Sequence, residues 1–501
     1  MLASLPVFRP WAPTWLVRGA LFLGLAPGFI LLGLYAGNLG EAAAYFGFKL
    51  TDLQFSILLY FVGIVAYFPL DARVGSYLPV RRYYSLAVAL MLLSVWLCTL
   101  TTSLPVFLAL RFLQGMLTVG VCSPCLGLIF SQLEPGRSRP VGFSVFYGTL
   151  LCSTPLTTII ATYSLQHYSF STLFYVFALL QLPGGLLLFL LLTNNRLQPR
   201  KPLYQVEWLS FGLYAASLGI GAYLVVYRQS LQWLEDGKPW LLLGILALLA
   251  VVFVRRQRFR KRPFLHLSVF RCRHFVLGLL LFMVLYLVRS SAAVASLYFC
   301  QVLRVDAHQL ASLQVALLVG IVAGVSAALR LVLAGTALRT LMLVGFGLLL
   351  VHHGWLYSLF GAPHTPAEFV PPLLVQGLGN GFVFLPVVLF TLSPLSPQQV
   401  PTGVSLAVGA RFLGFAASVA LTNFLQSWLR ATYDDQVGLG VGPATPPLAP
   451  HSLSSAQDTL SLLRFSTDYF ALIGCVLAGL LLVLLLVPPL HRQYTFRNHR
   501  P

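Results

Sequence analysis

An arginine stands inside an apolar run that is long enough to cross a lipid bilayer. The run covers residues 104–130, and Arg111 lies in its first half. A guanidinium in hydrocarbon costs at least about 3 kcal/mol unless it faces a protein or water-lined interior. A helix would place Gln114, Gly115 and Thr118 on the same face as Arg111. We therefore expect a polar pathway between helices. The alternative is that the guanidinium binds neighbouring backbone carbonyls and only stabilises packing.

Two further arginines lie inside apolar runs, Arg289 within residues 274–300 and Arg411 within residues 399–430. We predict both as candidate residues of the translocation pathway, although Arg411 stands close to one end of its run. None of the thirteen acidic residues lies in the middle of a run. This pattern favours anionic or neutral substrates, because a cation would meet uncompensated positive charge.

One short loop carries an acid at the end of one run and arginines at the start of the next. Its candidate gating residues are Asp71, Arg73, Gly75, Arg81 and Arg82. Asp71 could accept charge-assisted hydrogen bonds from Arg73, Arg81 or a neighbouring helix. Such a cluster would stabilise one access state of a transporter, and breaking it would permit rocking. The alternative is a solvated turn with ordinary cytoplasmic arginines.

The composition is that of a membrane protein. Charged residues make up 9% of the 501 residues and hydrophobic residues 58%, whereas soluble domains are about a quarter charged. The apolar runs are near twenty residues long, which excludes an outer-membrane barrel with its alternating segments of about ten. The net charge of +19 reflects basic loops, and without a hydrophilic domain we expect no nucleic-acid partner.

Hydropathy predicts fourteen transmembrane helices, and the distribution of basic residues supports that number. Arginine and lysine concentrate in alternate loops, which places both termini in the cytoplasm and requires an even number of spans. Twelve spans would leave two good apolar runs unassigned. We expect a multi-pass protein of the inner or plasma membrane. The predicted spans are 18–38, 52–71, 83–102, 104–130, 140–164, 170–193, 207–227, 239–256, 274–300, 308–331, 336–360, 367–392, 399–430 and 465–488.

The order of the spans predicts an all-α integral membrane fold with two six-helix bundles. Residues 1–200 would form the first bundle, residues 201–262 two linker helices, and residues 263–501 the second bundle. Transporters of this layout hold their site near the bilayer midplane. Residues 433–464, rich in Gly, Pro, Ala and Ser, predict a poorly ordered outer loop. The basic and apolar segment 255–273 predicts contact with anionic lipid headgroups.

Catalytic chemistry has little support in the sequence. Cys122 and Cys125 have metal or redox spacing, but they lie at bilayer depth without a second pair. His352 and His353 could titrate near neutrality, yet adjacent residues point to different faces of a helix. No nucleotide-binding Gly-x-x-x-x-Gly-Lys-Ser/Thr loop is present. We predict no metal, no cofactor and no enzymatic activity, with a membrane-embedded enzyme as a remote alternative.

Several motifs together resemble those of the major facilitator superfamily, and in particular its fourteen-span drug/proton antiporters. Residues 71–75 with Arg81 and Arg82 are similar to the family's Gly-x-Leu-x-Asp-Arg-x-Gly-Arg-Lys loop, and residues 111–115 match its fourth-span motif. Residues 207–212, 263–275, 377–386 and 411–414 also resemble that branch. The resemblance implies secondary active efflux of a small amphipathic, drug-like compound by alternating access, with Arg111 in proton coupling.

Other positions depart from the family pattern. Relatives in this branch commonly have an acid within the first span, where this chain has only Glu41 at the outer end. The second copy of the loop motif keeps Arg330 and Arg339 but has no acid. Exchange for protons therefore stays open, as does the alternative that the fold has lost transport and serves as a sensor or scaffold.

Overall fold

The structure is a computed structural model that describes most of the chain. The described residues are 7–36, 39–134, 136–196, 207–228, 237–260, 263–361, 364–396, 398–440 and 450–486. In these ranges fourteen helical segments are long and apolar enough to cross a membrane, which confirms the predicted number. The predicted boundaries near residues 200 and 262 lie outside the described residues.

The described residues up to 260 form nine helices. They are α1 Thr14–Ala36, α2 Leu39–Phe46, α3 Leu50–Tyr77, α4 Val80–Leu100, α5 Leu104–Ser131, α6 Ser138–His167, α7 Thr172–Leu191, α8 Trp208–Val226 and α9 Lys238–Phe259. The 28-residue helices α3 and α5 follow from long, mainly apolar runs, in which every backbone group must be satisfied within the helix. The short helix α2 was not predicted. Its three consecutive alanines and the acidic Glu41 in its first turn favour a helix locally.

From residue 263 onward, the described ranges form seven helices and two short 3₁₀ segments. The helices are α10 Arg273–Arg289, α11 Ser291–Gln301, α12 Ala307–Leu333, α13 Leu338–Leu359, α14 Val370–Leu392, α15 Val400–Gly440 and α16 Pro450–Leu486, and the 3₁₀ segments are Leu267–Arg271 and Pro366–Phe369. The predicted single span 274–300 is therefore interrupted at Ser290, between α10 and α11. Asp306 and Gln309 form a capping box that starts α12.

The predicted outer loop 433–464 differs from the structure. α15 continues through Gly440, and α16 already begins at Pro450, so helix occupies both ends of this segment. Residues 441–449 lie outside the described part of the chain. The physical reason is cooperativity: extending an existing transmembrane helix by one residue adds a hydrogen bond without a new nucleation cost. Composition alone, rich in Gly, Pro, Ala and Ser, does not register that advantage.

Glycines set the closest helix crossings. A Cβ atom added to Gly115 of α5 would overlap the Tyr60 carbonyl oxygen of α3, and one added to Gly63 would lie 3.2 Å from the Gly115 Cα. In the later helices, Gly320 and Gly377 make the equivalent approach between α12 and α14. Only a residue without a side chain permits such backbone contact in a membrane.

The chain divides into two compact units. The first comprises Met1–Phe282 and Val387–Leu413, and the second comprises Met283–Pro386 and Gly414–Pro501. The divisions fall inside helices α10, α14 and α15 rather than in loops. The division into bundles 1–200 and 263–501 with a linker pair stays a prediction.

Within the first unit, the C-terminal end of α8 contacts α3. The Tyr227 hydroxyl donates a hydrogen bond to Asp52 Oδ1, and Phe55 packs edge-on against Tyr223, with ring centroids 5.7 Å apart. Burial, together with the Asp52 carboxyl, raises the pKa of Tyr227, so the hydroxyl keeps the proton that it donates. Helix α8 is therefore attached to α3 at this end.

Candidate functional site

Arg111 is completely buried on α5. Its Nη1 donates a hydrogen bond to Gln114 Oε1 at 2.8 Å, and its guanidinium lies 4.6 Å from the centroid of the Tyr60 ring on α3. A neutral amide and an aromatic face stabilise a desolvated guanidinium without cancelling its charge. The Arg111 side chain is thus directed into the interior of the protein, which the pathway hypothesis requires.

The residues predicted to share a face with Arg111 do so. Gln114 Nε2 donates to Cys98 Sγ of α4 at 3.3 Å. Thr118 Oγ1 lies 2.9 Å from the Gln114 carbonyl oxygen and also bonds the Tyr60 hydroxyl. Gly115 contributes differently from its neighbours, because its role is the close α3–α5 crossing. The structure therefore brings the predicted strip together into one buried network.

Asp71 at the end of the second span is almost completely buried. Its Oδ1 accepts a hydrogen bond from the Tyr83 hydroxyl of α4, and its Oδ2 accepts one from the Ser123 hydroxyl of α5. Tyr83 also bonds the Tyr67 hydroxyl at 3.1 Å. The partner is therefore a neighbouring helix, one of the three predicted possibilities. Asp71 thus joins α3 to α4 and α5 through hydroxyl groups.

The other predicted gating residues lie around this carboxylate in different ways. A Cβ atom at Gly75 would make an ordinary van der Waals contact with the Tyr83 ring, at 3.4 Å, so Gly75 packs beside the partner of Asp71. Arg81 lies with its guanidinium 4.0 Å from the Phe189 ring centroid of α7. Arg73 is half-buried and Arg82 is exposed.

Arg411 on α15 is also buried, 6% exposed. Its Nη2 donates to the Tyr147 hydroxyl of α6 at 3.3 Å, and its Nε donates to the Ala407 carbonyl oxygen at 3.2 Å. The guanidinium lies between the rings of Tyr147 and Phe282, at 5.1 and 5.2 Å from their centroids. One side chain thereby joins α6, α10 and α15 within the first compact unit.

Arg289 belongs to the second compact unit. It is the last residue of α10, immediately before the interruption at Ser290, and its guanidinium lies 5.8 Å from the Tyr286 ring centroid. Arg289 therefore lies where the helix is interrupted. Irregular backbone at membrane depth is tolerated where it is buried in protein or lines a water-filled cavity.

The α9–α10 segment contains a contact set that the sequence did not predict. We call residues 263–272 the docked loop. Gln257 Oε1 accepts hydrogen bonds from the backbone N–H groups of Phe264 and Leu265, at 2.7 and 3.1 Å. Gln257 Nε2 donates to Ser210 Oγ of α8 at 3.0 Å. A single buried amide thus holds the start of the docked loop against α8 and α9.

The docked loop also packs against the helix that carries Asp71. Phe264 and Leu265 share a buried cluster with Leu70 of α3 and Phe253 of α9. On its other side, the His266 N–H lies 3.5 Å from Thr402 Oγ1, and Gln399 Nε2 donates to Ser268 Oγ at 3.2 Å. The loop therefore contacts both the end of α3 and the start of α15.

An ion pair supports the same region. Glu207 accepts from Arg256 at 2.7 Å and lies 3.6 Å from Arg260. Both arginines come from the segment 255–273 that we predicted to lie on lipid headgroups. Phe264, Leu265 and Val269 of that segment are buried inside the protein, whereas Phe259 and Phe270 are exposed. Headgroup contact therefore stays a prediction for the exposed side chains, and the three buried ones pack inside the protein instead. Burial of Phe264 and Leu265 is compatible with their backbone because Gln257 accepts hydrogen bonds from both of their N–H groups.

The two membrane-embedded histidines are hydrogen-bonded side chains of α13. His353 Nδ1 lies 2.7 Å from the Leu349 carbonyl oxygen, and its Nε2 lies 3.0 Å from Ser291 Oγ of α11. His352 Nδ1 lies 2.8 Å from the Pro372 carbonyl oxygen of α14. Within the described residues no group of three or more His, Cys, Asp or Glu side chains could hold a metal ion.

Sequence reasoning missed the tyrosines and small polar residues that complete these sites. Tyr60, Tyr83 and Tyr147 each present a ring or a hydroxyl to a predicted residue. A tyrosine in an apolar run is not distinctive, because most such residues only pack. Ser123 carried a signal, since it precedes a proline in the interior of α5.

The comparisons with known proteins agree with this architecture. The sequence model described as Major Facilitator Superfamily matches residues 21–419. The Colistin resistance protein EmrB of Acinetobacter baumannii is 21% identical, over 87% of this chain and 84% of the relative. The Multidrug export protein EmrB of Escherichia coli K12 is also 21% identical, over 82% of this chain and 78% of the relative.

A solved structure shows the same fold. A POT family transporter in complex with 5-aminolevulinic acid superposes with a TM-score of 0.63 at 15% identity. The match covers 96% of this chain and 98% of that chain.

Proposed function

Because the chain belongs to the Major Facilitator Superfamily, we propose that it is a secondary active transporter that exports a small amphipathic compound by alternating access. The similarity to multidrug export proteins over most of both chains supports export of drug-like compounds. The observation that carries the proposal is the fully buried Arg111, held by Gln114 and Tyr60. A buried guanidinium on a membrane helix marks a substrate or ion pathway.

The substrate class in this proposal is anionic or neutral. Arg111 and Arg411 are both buried among aromatic rings and neutral hydrogen-bonding groups. Such surroundings keep the positive charge of each arginine, and a second cation would be repelled at short range in a medium of low dielectric. An anionic or neutral amphipathic compound would not meet that cost.

The gate in this proposal is formed at one end of α3. Asp71 ties α3 to α4 and α5, and the docked loop contacts α3 on one side and α15 on the other. Arg411 adds a contact from α15 to Tyr147 of α6. Alternating access requires contacts that exist in one state and break in the other. The docked loop contacts the start of α15 through two long polar contacts, of 3.2 and 3.5 Å. We expect these two contacts to break most readily.

Proton exchange and lipid contact belong to the same proposal. The family resemblance supports a coupling role for Arg111, with the proton carried elsewhere because an arginine does not lose its own. The distribution of basic residues supports a cytoplasmic location for both termini. On the same side, Phe259, 79% exposed, with the exposed Arg255 and Arg258, would contact anionic headgroups. No cofactor and no enzymatic step enters the scheme.

The test is flux by the purified full-length protein in proteoliposomes. Fluorescent amphipathic anions are loaded, and release is followed with and without an imposed pH gradient, against protein-free liposomes. The proposal predicts protein-dependent release of anions, with acceleration by the gradient if protons are exchanged. Absence of release under every gradient would favour the sensor or scaffold alternative. Preference for an organic cation over anions and neutral compounds would contradict the substrate class.

A further inference from the structure

Three buried hydrogen-bond acceptors lie on the neighbouring helices α13 and α14. His352, Gln376 and Asn380 are at most 5% exposed. Within the described residues, no hydrogen-bond donor reaches His352 Nε2, Gln376 Oε1 or Asn380 Oδ1. Buried polar atoms of native proteins are paired in more than about nine cases of ten, because an unpaired one forfeits its solvation. A group of three on two adjacent helices therefore needs a specific explanation.

Their spacing places them along one side of α14. Pro372, Gln376 and Asn380 follow at intervals of four residues, which is the spacing of neighbours on a helix surface. The His352 Nδ1 atom lies 2.8 Å from the carbonyl oxygen of Pro372, four residues before Gln376. α13 packs on this side of α14, since a Cβ atom at Gly379 would meet the Leu349 side chain at 2.9 Å. The three acceptors thus extend over about two helical turns.

The hydrogen bond to Pro372 also fixes the chemistry of the imidazole. A carbonyl oxygen can only accept, so His352 Nδ1 carries the proton, and Nε2 of the neutral ring is an acceptor. The adjacent His353 provides the contrast, because both of its nitrogens have partners, the Leu349 carbonyl and the Ser291 hydroxyl. His352 presents an open acceptor where His353 is closed.

The depth of the cluster matches that of a transport site. Gln376 and Asn380 lie near the middle of the span Pro366–Leu392, and His352 lies past the middle of the span Leu338–Leu359. Secondary transporters hold their substrates near the bilayer midplane. A site built to bond a donor discriminates strongly against an analogue that lacks it, because its buried groups then stay unpaired.

We propose that His352, Gln376 and Asn380 form an acceptor site that binds a hydroxyl or N–H group of the transported compound. The inference rests on the proposed transport function and narrows its substrate class. The compound would combine an apolar body with at least one uncharged hydrogen-bond donor. A methyl ether at the same position would be recognised poorly.

Matched probes test this directly. Wild-type protein in proteoliposomes is assayed with 6-hydroxynaphthalene-2-sulfonate and with 6-methoxynaphthalene-2-sulfonate. In the second of these fluorescent anions a methyl group replaces the hydrogen of the hydroxyl group, so the donor is lost. The variant Gln376→Met with Asn380→Leu replaces both amides by apolar side chains of similar size. The control Thr391→Val removes a buried hydroxyl from the same helix, where it bonds only the Val387 carbonyl oxygen.

The expected result is that wild type has a KM about tenfold lower for the hydroxyl probe, the effect of one hydrogen bond. In the double variant the KM for the hydroxyl probe should rise to that for the methoxy probe, and the KM for the methoxy probe should stay unchanged. The Tm of the double variant should equal or exceed that of wild type. The Thr391→Val control should keep it. Equal KM values in wild type, or equal weakening of both probes in the double variant, would overturn the acceptor site while leaving transport intact. No flux of either probe would contradict the transport function itself.

Discussion

Replacing Gln257 by leucine should release the docked loop. The substitution removes the acceptor of the Phe264 and Leu265 N–H groups and the donor to Ser210. A buried donor without a partner costs about 1–3 kcal/mol, so a loop that stays docked loses about 2–6 kcal/mol. Release restores solvation of both N–H groups but exposes two apolar side chains, each worth about 1.5–3 kcal/mol when buried. The two costs are comparable, so the loop should open frequently.

The measurement is hydrogen–deuterium exchange of a peptide covering residues 263–272. Using the lower figure of about 2 kcal/mol, opening becomes about 30-fold more frequent, and exchange of the two amides accelerates by the same factor. Gln257→Glu is the matched control, because a carboxylate keeps acceptor oxygens at the same distance and should preserve most of the protection. Unchanged exchange in Gln257→Leu would refute the reasoning, since the loop would then be held by apolar packing alone.

Three further perturbations follow from the contacts around α3, α6 and α8. Gly115→Ala should lower stability by about 1–3 kcal/mol, because its methyl group would overlap the Tyr60 carbonyl, and Gly219→Ala, with nothing within 4 Å, should leave Tm unchanged; equal Tm values would show that α3 and α5 separate freely. Arg411→Lys should change the transport rate severalfold more than Tyr147→Phe, which keeps the ring beneath the cation and removes only the hydroxyl acceptor; equal rates would remove the planar contact from the gate. Glu207→Gln should cost about 1 kcal/mol at low ionic strength and less in about 1 M salt, because the ion pair with Arg256 is partly exposed, so a salt-independent Tm difference would contradict an electrostatic role.

The transmembrane helices and the Arg111 strip were predictable because both depend on local sequence. A span is recognised from a single apolar run. The relation of Arg111 to Gln114 and Thr118 follows from helical spacing, and the structure joins them as expected. The motif residues Asp71 and Gly75 were likewise found from their order in one short segment. The prediction that this segment is a loop was wrong for both, because α3 continues through Tyr77.

The partners of these residues were not predictable, because they come from distant parts of the chain. Ser123 is 52 residues from Asp71, and Tyr147 is 264 residues from Arg411. The docked loop depends on Gln257, whose sequence neighbours are arginines. A basic segment suggests lipid contact, and only the fold shows that one uncharged side chain within it turns inward to hold Phe264 and Leu265.

The central claim is that the buried network around Arg111 lies on the route of the transported compound. The most direct test compares flux of a fluorescent amphipathic anion through wild type, Arg111→Ala and Arg137→Ala in proteoliposomes under an imposed pH gradient. Arg137 is an exposed arginine just before α6, so its replacement removes the same charge away from the network. We expect Arg111→Ala to reduce flux by at least about tenfold, with Arg137→Ala equal to wild type. Unchanged flux and unchanged response to the gradient in folded Arg111→Ala protein would contradict the claim.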